Sequence, residues 1–264
     1  MEALSQIIPR YEYKYRIPPE LAPEVRREVR RYCEPDPWST DGPYLISSLY
    51  LDSPRRVLYR QSRGRRHARL KLRVRRYEVS PFFLEIKRRE GRVITKTRLR
   101  LAGRYWPHIL WDAPLAEELG LSPTEQQALQ EFLSRCLQLH AEPAAIVRYE
   151  REAYVCRADR YARVTIDRHL QALSPRGYDV PVRDDAGWIP FDDPGRMGMP
   201  VSAVILELKC TTSVPLWMTD LVEHFGLRPL GFSKYATGLE ATTQFLYEVP
   251  TGRAPARFLG GEAW

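Results

Sequence analysis

Three acid–base pairs recur in this chain with a single residue between the partners: Glu12-x-Lys14, Glu85-x-Lys87 and Glu207-x-Lys209. Side chains two residues apart on an extended strand share a face, so each pair would set a carboxylate beside an ammonium. A longer version of the pattern fills 69–77, where Arg69, Lys71, Arg73, Arg75 and Tyr77 alternate with Leu70, Leu72 and Val74. That alternation predicts a strand with one cationic and one apolar face. Lys96, Arg98 and Arg100 repeat it from Val93 to Leu101. Carboxylates set among such cations have two uses. They can hold Mg²⁺ or Mn²⁺, which take oxygen ligands and bridge to phosphate oxygens, or they can tie the lysines in place as ion pairs. Metal binding is favoured at Glu207, with Glu12 and Glu85 as the other candidates.

Lysine is used sparingly. Of 41 basic residues only six are Lys (14, 71, 87, 96, 209 and 234), and all six lie in strand-like or motif-like segments. A compact ammonium and a planar guanidinium differ in geometry and hydration, so the lysines kept at these places are read as a need for an ammonium there, with chance placement as the alternative. The net charge of +8 over 264 residues points to a polyanionic partner: nucleic acid, anionic lipid or a phosphate-rich small molecule. No apolar run approaches twenty residues, which excludes a membrane-spanning helix, and Met1 to Arg10 lacks the apolar centre of a signal peptide. A cytoplasmic protein is expected. Cys33, Cys136, Cys156 and Cys210 are far apart, without the CxxC spacing of a zinc site or the density of a disulfide framework.

The elements that must position these residues are mostly strands. Ile7 to Ile17 reads as a strand ended by Pro18-Pro19, followed by a helix to Tyr32. Tyr44 to Leu51 is a β-type run closed by the turn Asp52-Ser53-Pro54, and Arg69 to Tyr77, Phe82 to Arg88 and Val93 to Leu101 follow as hairpins. Arg104 to Trp111 reads as helical. Ser122-Pro123-Thr124-Glu125 opens a capped helix through Leu137. Strands resume at Ala144 to Val155, where Tyr149 and Arg151 share a face, and at Ala162 to Leu170, where Arg163, Thr165 and Asp167 do. Ser174 to Pro200 is rich in Pro, Gly and Asp and reads as a long loop or lid. Val201 to Cys210 is the most β-prone run; helices near Pro215 to Phe225 and Ser233 to Phe245 precede a flexible tail over 249–264. Residues 1–248 are read as one domain.

Like charges on neighbouring strands repel at close range. If the strands roll into a closed antiparallel barrel with polar faces inward and helices over the apolar outside, Lys and Arg converge on a channel. Such an interior is costly empty and favourable once filled by an anion of matching charge and length. A linear phosphate chain fits. Nucleic acid is disfavoured, because it calls for exposed aromatics interleaved with the bases, whereas these cations alternate with aliphatic residues.

The segments YEYKYRIP (Tyr11 to Pro18), SLYLDS (Ser48 to Ser53), LRVRRYE (Leu72 to Glu78), FLEIKRR (Phe83 to Arg89), TKTRLRL (Thr95 to Leu101), RYEREAYV (Arg148 to Val155), RVTIDRHL (Arg163 to Leu170), ILELKC (Ile205 to Cys210) and FSKYATG (Phe232 to Gly238) together resemble the VTC domain. This is the polyphosphate polymerase domain of the vacuolar transporter chaperone complex, in the CYTH or triphosphate tunnel superfamily. The resemblance implies an α+β tunnel of antiparallel strands that transfers the terminal phosphate of ATP onto polyphosphate with a divalent metal, usually manganese. By position it places phosphate-binding cations at Lys14, Arg73, Arg75, Lys87, Lys96, Arg98, Arg151 and Lys234, and the metal-binding acid at Glu207. Catalysis is expected of Lys14, Arg73, Arg75, Lys87 and Glu207; Lys209 and Tyr50, in two of the matching segments, join the substrate-binding set. Lys71 lies in the cationic ladder but outside the carried-over ligands. ATP, inorganic phosphate and polyphosphate are the expected partners, and an inorganic triphosphatase or a non-catalytic polyphosphate binder is the alternative. Two positions depart from the pattern: Arg10 stands where the superfamily's ExExK signature has its first acid, and Gly231 where some members carry a second lysine.

Overall fold

A computed structural model describes residues 11–248 except 65, 79–80, 92, 113, 184–185 and 212. Arg10, the start of the first strand at 7–10 and the tail expected over 249–264 lie outside the described residues. The described residues form ten strands: β1 (Tyr11–Ile17), β2 (Cys33–Pro35), β3 (Tyr44–Asp52), β4 (Ala68–Tyr77), β5 (Phe82–Glu90), β6 (Val93–Leu101), β7 (Glu142–Cys156), β8 (Arg163–Leu173), β9 (Ile189–Pro190) and β10 (Val204–Cys210). The helices are α1 (Ala22–Tyr32), α2 (Val57–Arg63), α3 (Leu115–Glu118), α4 (Pro123–Leu139), α5 (Pro194–Met197), α6 (Leu216–His224) and α7 (Lys234–Glu248).

All strand pairs are antiparallel, in the order β1-β10-β8-β7-β3-β4-β5-β6, with β2 added on β7 and β9 on β8. β1 and β5 are six steps apart along this path. In a flat sheet that is roughly 29 Å at about 4.8 Å per step. Yet Lys87 Nζ on β5 lies 2.5 Å from Glu12 Oε2 on β1. The sheet is therefore rolled, with its cationic faces turned inward. Among the described residues it does not close into the barrel that the alternation predicts, because β1 and β6 share no ladder there. The physical reason is on β1: Leu230 N donates to Lys14 O at 2.7 Å, and Tyr15 makes an isolated bridge to Pro229. The segment before α7 thus takes the β1 edge that a closing strand would need.

Helices cover the apolar outside. Val25 and Val29 of α1 and Met218 and Leu221 of α6 pack with Ile17, Ile166 and Leu206 of the β1, β8 and β10 outer faces. Leu129 and Phe132 of α4 lie in one core with Leu84, Ile86, Leu99 and Leu101 of β5 and β6. Each such large side chain, fully buried, contributes about 1.5–3 kcal/mol. The α4 start is the expected capping box, with Ser122 Oγ accepting from Glu125 N while the Glu125 carboxylate accepts from Ser122 N at 3.0 Å.

Three segments differ from the sequence reading. Residues 104–111 hold only short 3₁₀ turns, Gly103–Tyr105 and His108–Leu110, because Pro107 between them has no N–H to continue a helix. The turn signal at Asp52 also starts α2: Asp52 accepts from Leu58 N at 2.9 Å and Tyr59 N at 2.8 Å. The stretch 174–200, read as a loop or lid, contains β9 and α5, buries Phe191 completely, and ties Asp192 Oδ2 to Leu170 N at 2.9 Å.

Candidate functional site

Register stacks the inward side chains into rows. Lys71, Lys87 and Lys96 stand opposite one another on β4, β5 and β6. One step along, Arg73, Glu85 and Arg98 form the next row, continued on β3 by Tyr50. Arg75 follows, opposite Ser48. Glu85 is completely buried and meets Arg73 Nη2 at 2.6 Å, Lys96 Nζ at 2.6 Å, Arg98 Nε at 3.3 Å and Arg75 Nε at 3.9 Å. Burial pushes its carboxyl up, but Arg73, Arg75 and Lys96 prevail and hold it well below the usual carboxylate range. Tyr50 is buried and its hydroxyl accepts from Arg73 Nη1 at 3.3 Å.

The facing half is built by β1, β10, β8, β7 and the start of α7. Arg151 grips Asp167 through both ends, Nε to Oδ1 at 2.6 Å and Nη2 to Oδ2 at 2.7 Å. Lys234, the first residue of α7, reaches Asp167 Oδ2 at 2.6 Å and Glu207 Oε1 at 2.9 Å. Lys209 lies 3.1 Å from Glu207 Oε2. Lys14 sits between two acids, 3.4 Å from Glu207 and 3.7 Å from Glu12. Burial would raise Glu207, but Lys14, Lys234 and Lys209 hold it well below the normal range; Glu12 is lowered to about 2, with Lys87 the main opponent of burial. Both acids stay ionised.

All eleven site residues expected from the sequence therefore converge on one interior, together with Glu12 and Glu85. Three members were not anticipated. Asp167 is the partner of both Arg151 and Lys234. The Tyr149 ring lies 4.9 Å from the Lys234 ammonium and 5.1 Å from the Arg151 guanidinium, and its hydroxyl accepts from Arg75 Nη2 at 3.2 Å, joining the two halves. Their signal was in the sequence, since each shares a strand face with a polar residue two places away.

Lys71 is the third addition. Its ammonium donates to Ser233 Oγ at 2.9 Å and, among the described residues, has no carboxylate in ion-pair range. Burial first, then Lys14, Lys87 and Arg73, pull it well below an ordinary lysine pKa. Burial also takes Lys96 down to about 7 against the pull of Glu85, with Arg75, Arg98 and Arg73 adding to the lowering. Ten cations (Lys14, Lys71, Arg73, Arg75, Lys87, Lys96, Arg98, Arg151, Lys209 and Lys234) thus share four carboxylates (Glu12, Glu85, Asp167 and Glu207). The interior lacks negative charge.

A divalent cation is the cofactor to test against these groups. Glu12 and Glu207 flank Lys14 as ionised oxygen donors, and Mg²⁺ commonly takes one or two carboxylates with substrate phosphates completing its shell. These two acids fit that role. Glu85, the third candidate, is the more enclosed, with four cations within 4 Å against three lysines around Glu207. Among the described residues no three His, Cys, Asp or Glu side chains gather into a self-sufficient metal site.

Comparison with known proteins resolves the family. The model of the VTC domain matches residues 9–243. The chain belongs to the VTC domain family. Solved structures similar to this VTC domain include a candidate adenylate cyclase from Vibrio parahaemolyticus, at 14% identity and TM-score 0.43 over 86% of this chain and 96% of that one. A Pyrococcus horikoshii OT3 protein has 13% identity and TM-score 0.41, covering 88% of this chain and 98% of its own. A candidate adenylyl cyclase from Hippeastrum, described as having a dominant triphosphatase activity, has 15% identity and TM-score 0.48 over 88% of this chain and 96% of its own. No curated protein matches. Membership of the VTC family supports a function concerned with triphosphate or polyphosphate chains. Among the described residues no helix is long and apolar enough to cross a membrane.

Proposed function

We propose that this VTC domain transfers the terminal phosphate of ATP onto inorganic phosphate and then onto a growing polyphosphate chain. The observation that carries this reading is the charge deficit of the interior: ten cations, four carboxylates, and two lysines, Lys71 and Lys96, held below their ordinary pKa. A phosphate chain brings about one negative charge per unit, and its protonation partners are already aligned in rows along the strands.

Phosphoryl transfer asks little covalent work of a protein; it needs in-line positioning and stabilisation of charge on the transferred group. Lys14, Lys87, Arg73 and Arg75 neutralise the transferred phosphoryl. Lys96, Arg98, Arg151, Lys209, Lys234 and Tyr50 hold the remaining phosphates, with Asp167 and Tyr149 fixing Arg151 and Lys234. Glu207 and Glu12 would hold Mn²⁺ or Mg²⁺, which when bound supplies further charge neutralisation at phosphate oxygens. The nucleophile is an anionic phosphate oxygen, so the interior needs no strong general base.

The test is incubation of the protein with ATP and Mn²⁺, resolving products on a gel. Chains longer than the substrate's three phosphates are expected. Free phosphate alone would make the protein a triphosphatase, and tight tripolyphosphate binding with no turnover would make it a binder.

A further inference from the structure

The arginine-rich end of the interior opens onto an aromatic cluster that the phosphate chemistry does not use. Trp38, in the turn between β2 and β3, is 55% exposed, yet one face of its indole is stacked on Tyr77, with ring centroids 5.4 Å apart and planes 10° from parallel. Tyr77, the last residue of β4, is two places beyond Arg75 on the same inward face. Phe83 meets Tyr77 edge-on at 5.5 Å. Arg98 binds this cluster to the charged interior: its guanidinium lies 3.7 Å over the Phe83 ring, donates to Tyr77 Oη at 3.2 Å, and is 3.3 Å from Glu85.

The turn that carries Trp38 is pinned rather than loose. Asp36 Oδ1 accepts from Trp38 N at 3.1 Å and from Ser39 N at 3.0 Å. The turn is then fastened to β7 twice, through Asp36 N to Ala153 O at 2.9 Å and Ala153 N to Ser39 Oγ at 2.8 Å. A large aromatic held rigidly in water with one face covered leaves the rest of its surface for a flat ligand.

We propose that Trp38 is a stacking platform for the base of a nucleoside triphosphate, whose phosphates then pass Arg98 into the interior. This rests on the reading that a nucleoside triphosphate is the phosphate donor, and it adds an orientation. The base stays at the Trp38 mouth, the first phosphate meets Arg98, and the terminal phosphate points toward Arg73, Lys87 and Lys14. Stacking tolerates any base, because every base has a π-face. The platform therefore separates nucleotides from inorganic chains without separating one nucleotide from another.

Calorimetric titration of the full chain with ATP, GTP and inorganic tripolyphosphate tests the platform, using wild type, Trp38→Ala and Trp38→Phe. Trp38→Ala should weaken ATP and GTP by at least about fivefold, the lower end of base stacking, and leave tripolyphosphate within about twofold. Trp38→Phe, which keeps a ring on the same turn, should recover most of the loss. If tripolyphosphate binds but Trp38→Ala leaves ATP unchanged, or weakens both ligands alike, the platform is overturned and the charged interior stands. If neither ligand binds wild type, both readings fall.

Discussion

The interior has two neighbouring rows of cations that are held in opposite ways. Around Glu85 the protein supplies the counter-charge itself: one fully buried carboxylate meets two lines of arginine and Lys96, all within 4 Å. One step along the same strands, Lys71 faces Lys87 and Lys14 and, among the described residues, donates to a serine hydroxyl with no carboxylate in ion-pair range. The first arrangement is a framework, in which rigid guanidinium forks are locked by an internal anion. The second centres on Lys71, which among the described residues has no carboxylate in ion-pair range, beside Lys87 and Lys14, which Glu12 and Glu207 hold. Where the chain provides its own anion it fixes geometry, and where it withholds one it creates affinity.

The sharpest way to break this comparison is Glu85→Gln. Removing the acid leaves four cations around a neutral group, and the free energy of unfolding in urea should fall by about 3–5 kcal/mol, as for one partner of a buried charge network. A loss no larger than that of a lysine-row substitution would make the two rows equivalent. Glu207→Gln comes next: it should lower turnover with Mn²⁺ by about 100-fold or more, since a lost metal contact is worth several kcal/mol, while tripolyphosphate binding persists. Unchanged kcat at saturating Mn²⁺ would move the metal to other acids.

Lys71→Met should do the reverse of Glu85→Gln. Urea denaturation of the ligand-free protein should show stability unchanged or higher by up to about 1 kcal/mol, because a repelled cation is gone, and tripolyphosphate affinity should fall about tenfold, as for one hydrogen bond to a charged group. The smallest effect is in protons. Lys71 and Lys96 sit below their ordinary pKa in the free protein, and an incoming anion raises them again, so binding at pH 8 takes protons up and affinity declines as pH rises above about 7. Binding heats measured in two buffers of different ionisation enthalpy should differ by up to about one proton's worth. Identical heats would mean that the lysine row is already fully charged.

The strands of this fold were legible because alternation is a local signal. The stretch 69–77 and the stretch 93–101 announce their faces residue by residue, and the structure places strands there. The helices after 215 and 233 were legible for the same reason. What the sequence could not display is pairing across strands. Asp167 reads as one ordinary acid in RVTIDRHL until β7 brings Arg151 against it. Lys71 looks equivalent to its ladder neighbours until the rolled sheet sets Lys14 and Lys87 beside it and leaves it a hydroxyl. Closure was over-predicted for a related reason: whether a rolled sheet zips shut depends on what occupies its last edge, and residues 229–230, far along the chain, do so here.

The unzipped sheet also leaves β6 paired, among the described strands, with β5 alone. An edge strand presents backbone donors and acceptors onto which another chain can add, the first step of many aggregates. Along β6 stand Lys96, Arg98 and Arg100, so a second copy approaching in strand-to-strand register would meet like charge with like charge. Lys96 and Arg98, assigned to phosphate, are thus with Arg100 also gatekeepers against self-association, and replacing all three by neutral side chains would lower the solubility of a correctly folded chain as well as its affinity.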